Sequence, residues 1–144
     1  MIAYFDTSSI VKWFFDEPYC QLARDVKSNA KTVVTSLIAF PEFLSAVNRA
    51  TRDDRCLKTD MESIRQEFLR IWPDFQWITV NEGLVKRSAE LIFLHDLRSF
   101  DAIHLASALV LKEESAAMEV FFSCFDRNLN RAALEHGFMI HRFD

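Results

Sequence analysis

The chain has 144 residues, half of them hydrophobic and 26% charged, with only 2 glycines and 3 prolines. That is the make-up of one domain rich in regular structure, and it argues against disorder or a core that needs disulfides or structural metal. A net charge of −4 argues against coating nucleic acid by bulk electrostatics, but not against an acidic site that bound cations neutralise.

No apolar run reaches the length of a membrane span, and no signal peptide is expected. Cys20, Cys56 and Cys124 are odd in number and widely spaced. They read as reduced thiols of a cytoplasmic protein.

Residues 2–6 read as a buried strand, short and apolar, ending on Asp6. Thr7, Ser8 and Ser9 follow, and Ile10, Val11 and Phe14 stand at helical spacing, predicting a helix from Thr7 to Phe15. Asp16-Glu17-Pro18 breaks it, and a second helical piece covers 19–29. Thr32 to Thr35 is β-rich and Ser36 closes that strand. Phe40, Phe43, Leu44, Val47 and Thr51 then form a helical stripe, with Pro41 in or near its first turn and Glu42 close to the helix start.

Arg52-Asp53-Asp54-Arg55 is a polar connection. Leu57, Met61, Ile64, Phe68 and Ile71 predict an amphipathic helix ending before Pro73, paired with the one before it. Residues 75–80 read as a third strand, and Asn81 as the N-cap of a helix to about His95. Ser99 or Asp101 opens a helix to about Glu114, apolar enough to be buried. Residues 119–126 read as a fourth strand ending on Asp126. A short helix spans 128–136 with Gly137 at its cap, and 139–143 make a fifth strand. Strands alternating with helices predict a parallel sheet covered on both faces.

Four acids stand at strand ends or helix starts: Asp6, Glu42, Asp101 and Asp126. Singly, each has an ordinary explanation. Asp6, Asp101 and Asp126 suit helix caps, and Glu42 suits a first-turn acid favoured by the helix dipole. Together, on the one edge that strand ends and helix starts share, they would crowd one cleft. Crowded carboxylates resist ionisation unless a cation sits among them. Hard oxygen ligands suit Mg²⁺ or Mn²⁺, ions that polarise a phosphodiester and activate water.

The motifs carry a resemblance. Asp6-Thr7-Ser8-Ser9-Ile10-Val11-Lys12 with Glu17-Pro18, Ser36 through Glu42-Phe43-Leu44, Leu97-Arg98-Ser99-Phe100-Asp101-Ala102-Ile103-His104 running to Leu109, and Phe122-Ser123-Cys124-Phe125-Asp126-Arg127-Asn128-Leu129 running to Gly137 occur in order over nearly the whole chain. The chain resembles a PIN-domain ribonuclease of the VapC toxin type. The resemblance implies an α/β, PIN-like three-layer sandwich, a single PIN domain over 1–144, with a five-stranded parallel sheet.

It also implies a Mg²⁺- or Mn²⁺-dependent endoribonuclease that leaves 5′-phosphate and 3′-hydroxyl ends. Asp6, Glu42, Asp101 and Asp126 become the catalytic and metal-holding acids, and Thr7, Ser8 and Ser123 supporting hydroxyls. A homodimer and a cognate VapB-like antitoxin are the implied partners, with the crowded aromatics Trp13, Phe14, Phe15, Phe40 and Phe43 as core and contact surface. Lys12, Arg98 and Arg127 are candidates to meet RNA phosphates. His104, on an apolar helix, reads as a satisfied structural histidine.

Three rivals are weighed. A haloacid dehalogenase-like phosphoryl-transfer domain wants a second acid two residues after the first, where this chain has Ser8. A receiver domain wants its phosphoacceptor on a later strand. A non-catalytic PIN module that binds only protein is disfavoured by the presence of all four acids.

Overall fold

The computed structural model describes residues 1–54, 57–116 and 118–143. Arg55 of the polar connection and the thiol Cys56 lie outside the described residues. The elements run β1 (Ile2–Phe5), α1 (Thr7–Val11), α2 (Cys20–Asn29), β2 (Thr32–Ser36), α3 (Ala39–Arg52), α4 (Lys58–Ile71), β3 (Gln76–Ile78), α5 (Glu82–His95), α6 (Ser99–Glu114), β4 (Val120–Ser123), α7 (Arg127–Glu135) and β5 (Met139–Ile140). A 3₁₀ turn, Trp72–Asp74, holds Pro73 just after α4.

The sheet order is β3-β2-β1-β4-β5, and every pairing is parallel. Successive side chains of β1 point to opposite faces, as a pleated strand requires. Tyr4 enters a core with Leu91, Leu105, Leu109 and Leu129 from α5, α6 and α7. Ala3 and Phe5 enter a second core with Ile10, Phe43, Val47 and Phe68 from α1, α3 and α4. Two cores on two faces are the three-layer arrangement expected of a parallel sheet.

Several elements are shorter than the sequence pattern predicts. The helix expected to reach Phe15 stops at Val11. The next N–H groups fold back three residues, Trp13 to Ile10 and Phe14 to Val11, while Trp13, Phe14 and Phe15 pack against the second core. The tight turn lets three consecutive aromatics reach it, where a straight helix would splay them around its axis.

The strands are cut to the length of their neighbours. β1 ends at Phe5, opposite Ser123, so β4 ends there and not at Asp126. β2 ends at Ser36, opposite Ile78, so Thr79 and Val80 have no ladder to join. β5 pairs only Met139 and Ile140.

The connections set the position of the site. From β1 the chain winds outward through β2 to β3, then returns to place β4 on the other side of β1. The reversal opens a crevice at the carboxyl ends of β1 and β4, the place where parallel sheets bind ligands. Asp6 follows β1 and Asp126 lies just beyond β4.

Candidate active site

A cleft of about 1360 Å³ opens at that edge, and Asp6, Glu42, Asp101 and Asp126 all line it. Each comes from a different element, and each is held differently.

Asp6 is the N-cap of α1. Its Oδ1 accepts the Ser9 N–H at 2.9 Å, and Ser8 Oγ donates to the same carboxylate at 2.8 and 3.0 Å. The cap reading is therefore true, and it coexists with a place in the cleft wall. Burial raises the Asp6 pKa to about 6, and the charge of His104 and the bonds from Ser9 and Ser8 limit the rise.

Glu42 sits in the first turn of α3, beside Pro41, where a missing N–H costs nothing. Its Oε1 accepts a hydrogen bond from Thr7 Oγ1 at 2.7 Å and meets His104 Nε2 at 2.7 Å. His104 Nδ1 lies 2.7 Å from the buried Tyr4 hydroxyl. The ring thus stands between the Tyr4 hydroxyl and the Glu42 carboxylate, with each of its nitrogens in hydrogen-bond range of a partner. Burial pushes Glu42 upward, but the bonds and charge of His104 and the Thr7 hydroxyl outweigh it and hold the acid below its usual pKa.

The other two acids are looser. Asp101 is in the first turn of α6 and makes no cap; the capping position belongs to Arg98, whose side chain makes no capping bond either. Burial raises the Asp101 pKa, and the neighbouring charge of Asp126 adds to the rise. Asp126 caps α7 through Leu129 N–H at 2.9 Å. Arg98 stands between the pair, at 3.6 Å from Asp101 and 3.7 Å from Asp126, with its side chain 84% exposed.

The remaining predicted residues divide. Ser8 supports Asp6, whereas Thr7 reaches across to Glu42. Ser123 meets no carboxylate with its hydroxyl: Oγ pairs with Ser9 Oγ at 2.5 Å and His141 Nε2 at 2.7 Å, and only its backbone carbonyl touches Asp6, by accepting the N–H. Lys12 and Arg98 line the cleft, with Lys12 paired to Glu17 at 2.8 Å. Arg127 is exposed at the start of α7 and is not among the cleft-lining residues.

Two residues gain roles that the sequence reading did not assign. His104 is satisfied, as predicted, but its partner is Glu42; the three-residue step from Asp101 put both on one helix face. Arg49 also lines the cleft, seven residues and two turns beyond Glu42 on the same face of α3.

As posed, no three Asp, Glu, His or Cys side chains among the described residues form a group that could hold a metal ion. Glu42 bonds His104 and Thr7, and Asp6 and Asp126 bond the starts of their own helices. The donor chemistry nevertheless fits a hard divalent cation. Four carboxylates face one crevice, two of them raised in pKa by burial. Such a set gains from positive charge and offers oxygen ligands alone.

A family model described as PIN domain matches residues 3–135. Ribonuclease VapC45 of Mycobacterium tuberculosis is 26% identical over 136 residues, which cover 94% of this chain and 92% of that protein. Two solved structures share the fold. VapC20 of Mycobacterium tuberculosis, described as a sarcin-ricin loop cleaving toxin, superposes with a TM-score of 0.63 at 17% identity, covering 95% of this chain and 96% of that one. FitAcB of Neisseria gonorrhoeae superposes with a TM-score of 0.67 at 18% identity, covering 98% and 97%.

Proposed function

The chain belongs to the PIN domain family, and on that premise we propose that it is a Mg²⁺- or Mn²⁺-dependent endoribonuclease, a single PIN domain over 1–144 acting in the cytoplasm as the toxin of a toxin–antitoxin pair. The observation that carries this reading is the cleft into which four separate elements each deliver a carboxylate. The ribonuclease name of the relative at 26% identity supports the reaction class, and the toxin description of VapC20 supports the biological role.

Asp6, Glu42, Asp101 and Asp126 would hold the divalent ion, which when bound neutralises phosphodiester charge and activates water. The chain's own residues do the positioning. Ser8 and Ser9 fix the Asp6 carboxylate. Thr7 and His104 keep Glu42 ionised, and Tyr4 fixes the His104 ring. Lys12, Arg49 and Arg98 edge the cleft with positive charge suited to the phosphates of an RNA strand.

The partners follow the same reading. Phe93 and Leu94 of α5 are 90% and 68% exposed. Apolar surface of that kind suits a second copy of the chain or an antitoxin segment. Among the described residues, no helix is long and apolar enough to cross a membrane.

The test is cleavage of a mixed pool of single-stranded RNA by the purified chain, with Mg²⁺, with Mn²⁺ and with a chelator, alongside Asp6→Asn. Metal-dependent cutting that the substitution abolishes is the expected result. Full activity in Asp6→Asn would sink the assignment. Metal binding without cleavage would favour the non-catalytic module.

A further inference from the structure

Next to the acids lies an aromatic hollow that the proposed chemistry does not use. Tyr19, Phe143, His141 and Arg142 line a space of about 520 Å³. Phe125 joins it to the cleft. It lines the cleft itself, and because it immediately precedes Asp126, its Cα lies about 3.8 Å from that of a cleft acid. Its ring is parallel to that of Tyr19, at 4° with centroids 5.9 Å apart, and stacks on His141 at 4.5 Å. Phe143 meets Tyr19 at 54° and Phe125 at 50°.

Tyr19 holds an unusual conformation. Its φ of 69° is left-handed, which bulky side chains seldom adopt. It occupies the N-cap of α2 without making a capping hydrogen bond, where Ser, Asp, Asn or Gly is preferred. Backbone strain of this kind persists where the surroundings hold it, often at sites of binding. The outcome here is a flat ring, 38% exposed, on the wall of the hollow.

Positive charge flanks the rings on both sides. Lys12 Nζ, ion-paired to Glu17 at 2.8 Å, lies 5.1 Å from the Phe125 ring centroid and lines the cleft. Arg142 lines the hollow and makes no ion pair among the described residues. Aromatic faces between cations are how proteins grip single strands: bases stack on the rings while phosphates meet the charges. A duplex cannot use such a site, because its bases are already stacked on one another.

We propose that this hollow is a nucleobase subsite, in which the base of the nucleotide next to the scissile phosphate stacks on Tyr19, with Phe143 against its edge, while Lys12 and Arg142 flank its phosphates. The proposal rests on the ribonuclease reading above and adds to it a base-binding position beside the acids. Planarity is the property that matters at position 19.

The test uses two probes, a labelled twelve-nucleotide oligoadenylate and a ribose-phosphate oligomer of equal length without bases. Binding is measured by fluorescence anisotropy in the Asp6→Asn background, which keeps the probe intact. Tyr19→Leu is expected to weaken oligoadenylate binding by about 5- to 150-fold, the range set by loss of one stacked base. Binding of the baseless oligomer should stay the same, and Tyr19→Phe and Tyr19→Trp should keep the affinity. In the active chain, Tyr19→Leu should raise KM for cleavage and leave kcat unchanged.

Phe143→Leu, outside every helix and strand, reports on the same hollow if Tyr19→Leu unfolds. Equal weakening toward both oligomers overturns the proposal in favour of a structural role. Unchanged RNA binding in both variants overturns it too, and leaves the rings to a protein partner. A chain that neither binds nor cuts RNA even with Asp6 intact sinks this inference together with the ribonuclease reading. Normal cutting and binding in Tyr19→Leu sinks this inference alone.

Discussion

The two halves of the cleft are built differently. On one side, Asp6 and Glu42 are tied into a lattice of the buried Tyr4, Thr7, Ser9 and His104 and the exposed Ser8. On the other, Asp101 and Asp126 face an arginine whose side chain is 84% exposed, at distances too long for hydrogen bonds. The first half is pre-organised, since each carboxylate has a fixed orientation before any ligand arrives. The second half is adjustable, because a solvated guanidinium holds its partners by less than about 1 kcal/mol. On the proposed ribonuclease reading, the first half would anchor a cation and the second would adapt to substrate.

The largest effects should come from the rigid half. Asp6→Asn should bring metal-dependent cleavage below detection, and it should also stabilise the metal-free fold. A carboxylate held at about pKa 6, against 3.8 in the unfolded chain, costs the folded state about 3 kcal/mol when ionised at neutral pH. Asparagine removes that cost while its carbonyl still accepts from Ser9. A rise in Tm of the metal-free variant, measured by calorimetry at pH 7.5, is the expected result. A lower Tm would mean that the carboxylate is stabilised in the fold by charge not visible around it.

His104→Ala comes next. It leaves the Tyr4 hydroxyl and the Glu42 carboxylate without their ring partner in a buried place. Removal of a group that orients a metal-holding residue costs about 10- to 100-fold in metal affinity or activity. The orphaned hydroxyl adds about 1–3 kcal/mol of destabilisation. Isothermal titration with Mn²⁺ together with urea unfolding separates the two. Tyr4→Phe should weaken Mn²⁺ binding less than His104→Ala does, because the ring still donates to Glu42.

Legibility followed the same division. Asp6 was readable because a strand, an acid, a run of hydroxyls and a helix follow one another within a few residues. Asp126 repeated that pattern. The sheet order was not written in the alternation of elements: the same alternation allows other windings, and only the return of β4 beside β1 opens the crevice at Asp6. The role of His104 was hidden because its partners Tyr4, Thr7 and Glu42 are 100, 97 and 62 residues away in sequence. Arg49 was hidden for a related reason, since an exposed arginine near a helix end has an ordinary reading. Strand lengths were overread at β3, β4 and β5, where the composition continues but the neighbouring strand does not.

Acidification probes Asp6 and His141 through opposed signs. The Asp6 pKa is raised, so between about pH 6 and 3.8 the folded state binds a proton that the unfolded chain does not, and stability rises as pH falls. His141, at the other end of the Ser9–Ser123 chain, is lowered by burial from 6.5 to about 4. The unfolded chain takes up that proton first, so its contribution to stability is lost as pH falls from about 6.5 to about 4. The two nearly oppose each other in the wild-type chain. Asp6→Asn should expose the His141 loss as a steeper decline in Tm below pH 6, and His141→Gln should make the decline shallower. Parallel Tm profiles for all three proteins would remove both groups as titrating contributors.

The smallest effect should come from Arg98→Ala. The guanidinium is solvent-exposed and its two contacts are long, so the Tm should change by no more than the equivalent of a few tenths of a kcal/mol. Its influence belongs to binding. With Arg98 gone, Asp101 and Asp126 lose their nearest cation, so a divalent ion should compete better for them while an RNA phosphate loses one contact. The expected outcome is a lower Mn²⁺ requirement for cleavage together with a higher KM for RNA, the latter fading as salt is added. A large drop in Tm would contradict the division itself, because it would make Arg98 part of the rigid lattice and not a movable lid over the soft pair.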